Sequence, residues 1–186
     1  MAARLNGQKK GWPALLFLTD PARTPDPIAV AGRLPKGSGF VYRHFGAPDR
    51  MSVARRLQRV CKRRGLVFFI GADRGLAQKL RADGLHLAER QTQRRTYFSG
   101  MVTAAAHSRR AAFRAMGAGA QAVLLSPVFP SRSPSAKRPM GSRKARQFAA
   151  QSPLPCYALG GVNTKTARTL RNSDFIGLAA IEALID

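Results

Sequence analysis

Short apolar runs recur along the chain, separated by longer stretches in which apolar and basic positions share a helical period. The apolar runs predict strands at Ala14–Thr19, Gly39–His44, Leu66–Gly71, Gly84–Leu87, Phe98–Thr103, Ala122–Ser126, Cys156–Leu159 and Phe175–Gly177. Between them, Ser52–Lys62 places Val53, Leu57, Val60 and Cys61 on one face and arginines on the other, which is the pattern of a helix half-buried on a sheet. Asp73–Arg81 and His107–Met116 follow the same period, and Asn163 is placed to N-cap a helix running to Leu170. A short first helix is expected at Pro27–Arg33, and at Glu89–Tyr97 the helix has nearly vanished. Ser131–Arg143, with Pro134, Pro139 and Gly141, reads as a long polar loop.

Strand–helix alternation calls for parallel pairing, because each return to the same edge needs a crossover. Eight strands predict an α/β fold of the closed (β/α)8 type rather than an open sheet of five or six strands. The 186 residues fall below the ~200 usual for such barrels, so several helices must be reduced. The expectation is one domain over residues 1–186, with 1–12 as a flexible basic extension. No apolar run approaches the ~18 residues of a membrane span. The apolar stretch Pro13–Leu18 runs straight into Thr19 and Asp20 with no small-residue cleavage site, so it reads as a buried strand rather than a signal segment.

Charge alters this picture. There are 32 Lys and Arg against 9 Asp and Glu, a formal net charge of +23. Such a surface attracts polyanions, including phosphorylated small molecules. The arginines are spread over helical faces (Arg55, Arg56, Arg59, Arg63, Arg64; Arg109, Arg110, Arg114; Arg168, Arg171) rather than gathered in a tail, and no nucleic-acid-binding motif accompanies them. A small phosphorylated substrate is therefore the expected partner, with no membrane and no specific nucleic acid; a homo-oligomer is left open. Cys61 and Cys156 lie far apart in apolar surroundings, as reduced core thiols of a cytoplasmic protein would.

In a parallel barrel the chemistry belongs at the C-terminal ends of the strands. The segment Ala158-Leu159-Gly160-Gly161-Val162-Asn163 ends a strand in two glycines before a helix, which lets bare N–H groups approach an anion. Gly177-Leu178-Ala179-Ala180-Ile181 brings small residues toward what reads as a short terminal helix, a second source of N–H groups. These are strands seven and eight, where barrels commonly bind phosphate.

The order FLTD, VYRHFG, GADRGLA, DGLHL, AAHS, SPVFPSRSP with MG, ALGGV and GLAAIEAL resembles the thiamine phosphate synthase and thiazole tautomerase family from about Leu15 to Ala183. The resemblance implies a (β/α)8 barrel. It implies either condensation of a hydroxymethylpyrimidine diphosphate with a thiazole phosphate, releasing diphosphate, or aromatisation of the thiazole by a proton shift. It assigns the thiazole-phosphate pocket to Ser131, Ser133, Gly160, Gly161 and the backbone of Leu178–Ala180, with Ser keeping the hydroxyl donor that Thr supplies in the family. Glu182 stands where the family has a small or hydroxyl residue.

On the diphosphate side the resemblance is thinner. In Val41-Tyr42-Arg43-His44-Phe45 only Arg43 of the family's Gln, Arg and Lys survives. Asp73 is one candidate Mg²⁺ ligand, but Gln91 stands near the second carboxylate position. Ala105 replaces a Ser, and Pro134 replaces a Lys, with Lys137 close by; Glu89 is a substitute carboxylate. Arg43, Arg74, Arg132 and Lys137 are the expected cations, and weak or no Mg²⁺ binding is expected with Asp73 alone. His107 matches the histidine that moves the proton in tautomerase-like members, a task imidazole suits. His86 reads as structural, His44 as able to face the mouth, and Asp20 as a loop cap. Three readings follow: a synthase-like transferase, a metal-free tautomerase-like isomerase, or a silent binder of phosphorylated ligands or nucleic acid.

Overall fold

The computed structural model describes residues 11–131 and 138–182. Eight parallel strands close into a barrel in sequence order: β1 (Leu15–Leu18), β2 (Gly39–Tyr42), β3 (Val67–Gly71), β4 (Gly84–Leu87), β5 (Met101–Ala106), β6 (Ala122–Leu125), β7 (Cys156–Ala158) and β8 (Phe175–Ala180). The ring is sealed by β1 pairing with β8, Leu16 opposite Ala179. Outside lie α1 (Pro27–Arg33), α2 (Arg50–Arg64), α3 (Arg74–Lys79), α4 (Arg109–Gly117), α5 (Gly141–Gln151) and α6 (Thr164–Arg168). The crossover after β4 is a 3₁₀ turn, Glu89–Gln93, so the helix expected to be missing there is missing.

Alternation along each strand divides the core in two. Leu16, Leu18, Val41, Phe69, Leu124, Tyr157 and Ile176 fill the barrel interior. Phe17, Phe40, Tyr42, Phe68, Ile70 and Leu85 point outward onto Leu57, Cys61, Ala77 and Ala111 of the helices. Gly84 is required by this packing: a Cβ there would overlap the Phe69 ring. Both cysteines are free and buried, and burial pushes the Cys61 thiol up to about 12 and Cys156 to about 11, so neither is a nucleophile.

Caps set the helix ends. Asp26, Asp73, Ser108 and Asn163 each accept hydrogen bonds from the first turn of the helix they precede, and Gly65 closes α2 in the left-handed region at φ 64°. Three expectations need correction. Strand β5 begins at Met101 rather than Phe98, because register with β4 starts where Met101 pairs with Gly84. The stretch taken as loop to Arg143 already contains the start of α5, which begins at Gly141 among the loop-forming residues and buries Ala145 and Ala149 with Phe148 packed beside them. The residues Leu178–Ala180, read as leading into a helix, continue β8 and pair with Leu15–Phe17.

Candidate active site

Two adjoining cavities open at the C-terminal mouth, of about 290 Å³ and about 330 Å³. They share Arg23, Ser131, Leu159, Gly160 and Ile181, and so form one continuous depression. The smaller is a cradle between the ends of β7 and β8, lined by Gly160, Gly161, Val162, Asn163, Ala180 and Glu182. The larger lies over the barrel axis, where Thr19, Asp20, Arg43, His86, Ala105 and His107 converge.

The cradle is shaped by backbone. Gly160 and Gly161 both have positive φ, 92° and 63°, and a Cβ on either would strike the Pro127–Pro130 segment. That segment is bound to the turn by two further hydrogen bonds, Val128 N–H to Leu159 O (2.9 Å) and Phe129 N–H to Gly160 O (2.9 Å). No protein acceptor takes the N–H of Gly160, Gly161 or Val162 among the described residues. The first N–H groups of α6 are not available in the same way. Asn163 Oδ1 accepts from Lys165 N–H (2.9 Å) and Thr166 N–H (3.0 Å), so the expected help from bare helix N–H groups is reduced to the glycine turn.

Of the residues expected to hold phosphate, Ser131, Gly160 and Gly161 meet in the cradle. Leu178 and Ala179 do not. Leu178 N–H is donated to Ala14 O at 2.9 Å, and Ala179 is buried in the barrel interior. The β8 side of the cradle is instead Ala180, Ile181 and Glu182. Arg132, Ser133, Pro134 and Lys137 lie outside the described residues.

Sequence reasoning missed Arg23. It stands in the turn after β1 with no motif to mark it, and only the closure of β8 on β1 brings it to the cradle. Its guanidinium donates to Asp20 Oδ2 at 2.9 Å, and its Nε lies 3.7 Å from Glu182 Oε1. The carboxylate that stood out at position 182 therefore meets an arginine. The Arg23 hydrogen bond holds the Asp20 carboxyl below its usual range. Arg43 is fixed from two sides, donating from Nε to Thr19 O (2.8 Å) and from its backbone N–H to Thr19 Oγ1 (2.8 Å). Burial lowers its proton affinity, which still leaves it a permanent cation at neutral pH.

The three histidines separate by environment. His86 is enclosed beneath the mouth, its Nδ1 3.0 Å from Thr103 Oγ1, and burial lowers its pKa to about 3. It is a neutral hydrogen-bonding group with Nε2 left for the cavity that it lines. His107 Nδ1 lies 2.6 Å from the Ser126 carbonyl oxygen, which requires the proton on Nδ1 and leaves Nε2 as the basic atom of the neutral ring. That Nε2 is 3.8 Å from Glu89 Oε2, while Glu89 Oε1 accepts from Arg114 at 2.7 Å. Glu89 is thus tied through Oε1 to Arg114 of α4, while its Oε2 makes no hydrogen bond to His107. His44 packs on the Tyr42 ring, with centroids 5.1 Å apart and Nε2 buried, and is not among the residues lining the mouth cavity.

The residues on the β3–β4 side do not suit Mg²⁺. Asp73 Oδ1 caps α3 by accepting from Leu76 N–H at 2.9 Å, and its Oδ2 lies 3.9 Å from the Arg50 guanidinium. Gln91 accepts from Ala88 N–H and donates to Ala72 O, both at 2.9 Å, a pair of bonds no carboxylate could make. No group of three His, Cys, Asp or Glu side chains is placed to hold a metal among the described residues. Arg74, the first residue of α3, is exposed beside this rim.

A family model described as thiamine monophosphate synthase matches residues 28–184. The thiamine-phosphate synthase of Prochlorococcus marinus is 24% identical over 143 residues, covering 74% of this chain and 41% of that protein. The thiamine biosynthesis bifunctional protein ThiED of Geobacter sulfurreducens is 26% identical over 142 residues, covering 74% of this chain and 29% of that protein. The chain thus spans less than half the length of these two relatives. In solved structures, thiamine phosphate pyrophosphorylase from Pyrococcus furiosus superposes with a TM-score of 0.76 at 23% identity, covering 91% of this chain and 85% of that one, which shows the shared barrel. With the family model spanning most of the barrel, the chain belongs to the thiamine monophosphate synthase family.

Proposed function

We propose that the chain is a transferase of thiamine biosynthesis. It binds a thiazole phosphate in the glycine cradle and joins it to a hydroxymethylpyrimidine delivered as its diphosphate over the barrel axis. The observation that carries this reading is the continuity of the two cavities. A phosphomonoester held at Gly160–Val162 leaves the attached ring directed into the space lined by Arg43, His86 and His107. In the reaction the thiazole nitrogen gives its lone pair to the pyrimidine methylene carbon, and the carbon–oxygen bond to diphosphate breaks with its electrons going to the leaving group.

The chain's own contribution is positioning and charge. The glycine N–H groups and Arg23 orient the phosphate, converting attack into an intramolecular event. Arg43, held by Thr19, presents fixed positive charge to the departing diphosphate. Neutral His86 and the Nε2 of His107 offer hydrogen-bonding positions to the pyrimidine. The family members' Mg²⁺ would supply further charge to the leaving group, but the Asp73–Gln91 side does not fit it, and no step here is assigned to it.

The test measures thiazole phosphate binding by calorimetry and thiamine phosphate formation by fluorescence after oxidation, with thiazole aromatisation followed alongside. Arg23→Gln is expected to weaken thiazole phosphate binding about 10-fold or more, as loss of a charge-assisted contact should. Unaltered binding in that variant, or aromatisation without condensation, would overturn the assignment.

A further inference from the structure

The β3–β4 rim carries its positive charge covalently. Arg50, the first residue of α2, reaches across to β3 and donates to Gly71 O at 2.8 Å, the last residue of that strand. Its guanidinium lies 5.2 Å from the Phe45 ring centroid and 6.0 Å from that of Tyr42, so both rings flank the cation. The same guanidinium is 3.9 Å from the Asp73 carboxylate. A divalent ion at Asp73 would have to share its carboxylate with this fixed positive charge, and it would find an amide rather than a carboxylate at Gln91. Gln91 ties the loops after β3 and β4 together, through Ala72 O and Ala88 N–H. Both places are occupied by bonds internal to the protein.

We infer that this chain receives a diphosphate group without a resident divalent cation, Arg50 holding the charge at the Asp73 rim and Arg43 and Arg74 supplying the remaining cations. The inference rests on the transferase reading for the identity of its ligand. Guanidinium groups stay charged at all working pH and donate paired N–H groups to phosphoryl oxygens. Arg43 comes from the end of β2, Arg50 from the start of α2 and Arg74 from the start of α3, so three neighbouring elements each contribute one. Asp73 removes one unit of that charge, and Asp20 partly offsets Arg43 from 4.0 Å.

The experiment titrates inorganic pyrophosphate into the whole protein, once in EDTA and once with excess Mg²⁺, and separately follows free Mn²⁺ by electron paramagnetic resonance. The expected affinities differ by less than about threefold, since permanent cations need no metal to neutralise phosphoryl oxygens. Protein should remove no Mn²⁺ beyond what pyrophosphate removes alone. In Arg50→Gln, pyrophosphate binding in EDTA should weaken about 10-fold or more while thiazole phosphate binding, read at the separate glycine cradle, is retained. Pyrophosphate binding that requires Mg²⁺, or a stoichiometric Mn²⁺ site, overturns the inference. Thiazole phosphate binding with no pyrophosphate binding in either buffer also overturns it and leaves the cradle reading standing. Loss of both ligands sinks the transferase reading itself.

Discussion

Glu182 and Arg23 make the cradle a balanced site rather than a simple cation trap. A phosphate dianion entering it must compete with the Glu182 carboxylate for Arg23, which lies 3.7 Å away. Glu182→Gln is therefore expected to tighten phosphomonoester binding severalfold, and calorimetry that finds weaker binding would argue for a supporting role instead. Gly161→Asp has two consequences. It places a carboxylate against the anion, and it forces a Cβ onto Pro130 O and Phe129 at a φ of 63°. The latter strains the fold as well. A stability loss of about 1–3 kcal/mol in urea melts should accompany the loss of binding. His86 gives a pH dependence with a definite sign. The unfolded chain takes up a proton near pH 6.5, while the fold refuses it until about 3, so stability is complete above the unfolded value and is lost as pH falls between the two. Between about pH 7 and 5 the loss from this group is about 2 kcal/mol, and His86→Gln should flatten that slope in urea melts. Burial lowers His44 as well, so a shallower slope of the same sign should remain in the variant.

At the level of elements, the barrel interior is packed by unequal partners. Phe69 on β3 occupies space that only Gly84 on β4 leaves open. Gly84→Ala should cost about 1–3 kcal/mol by overpacking, and Phe69→Leu introduced with it should recover part of the loss. Additive destabilisation in thermal melts of the double variant would show that the two do not share one space. On the outside, α2 is held by Ala54, Leu57 and Cys61, all fully buried. Leu57 and Cys61 were readable from their period, whereas Val53 and Val60, expected on the same face, are half-buried and Ala54 is fully buried beside them. The start of α5 was not readable, because it follows directly on the Pro139 and Gly141 loop signals, although Ala145 and Ala149 are buried and Phe148 packs on the core beside them.

For the whole molecule, 32 basic against 9 acidic side chains on a chain of 186 residues means that self-repulsion opposes the compact state. Added salt should therefore stabilise the protein, raising the midpoint of thermal unfolding by a few degrees between about 0.05 and 0.3 M NaCl as the screening length shrinks below the spacing of surface charges. A midpoint that falls or stays constant over that range would show that the arginines are already locally compensated. Among the described residues the ion pairs at the mouth use most of the acidic groups there: Asp20, Asp73, Glu89 and Glu182 each face an arginine.

The alternation of apolar runs and helical periods was enough to determine the barrel, since a parallel strand must be followed by a crossover and each run was long enough to be buried on both faces. The Gly160-Gly161 turn was legible for a similar local reason: two glycines after a strand can only serve a sharp backbone turn or a close approach. Tertiary structure alone decided the rest. Strand β5 begins at Met101 because pairing with β4 sets its register, not because its first residues are apolar. Leu178 and Ala179 lie outside the cradle because ring closure engages their strand with β1. Arg23 entered it through the same closure, from the opposite end of the chain. Whether Asp73 serves a metal or a helix, and whether Glu89 serves a metal or Arg114, depends on distances of a few ångströms between segments apart in sequence. Local pattern reports which face of an element is buried; only the closed ring reports which strand ends meet above it.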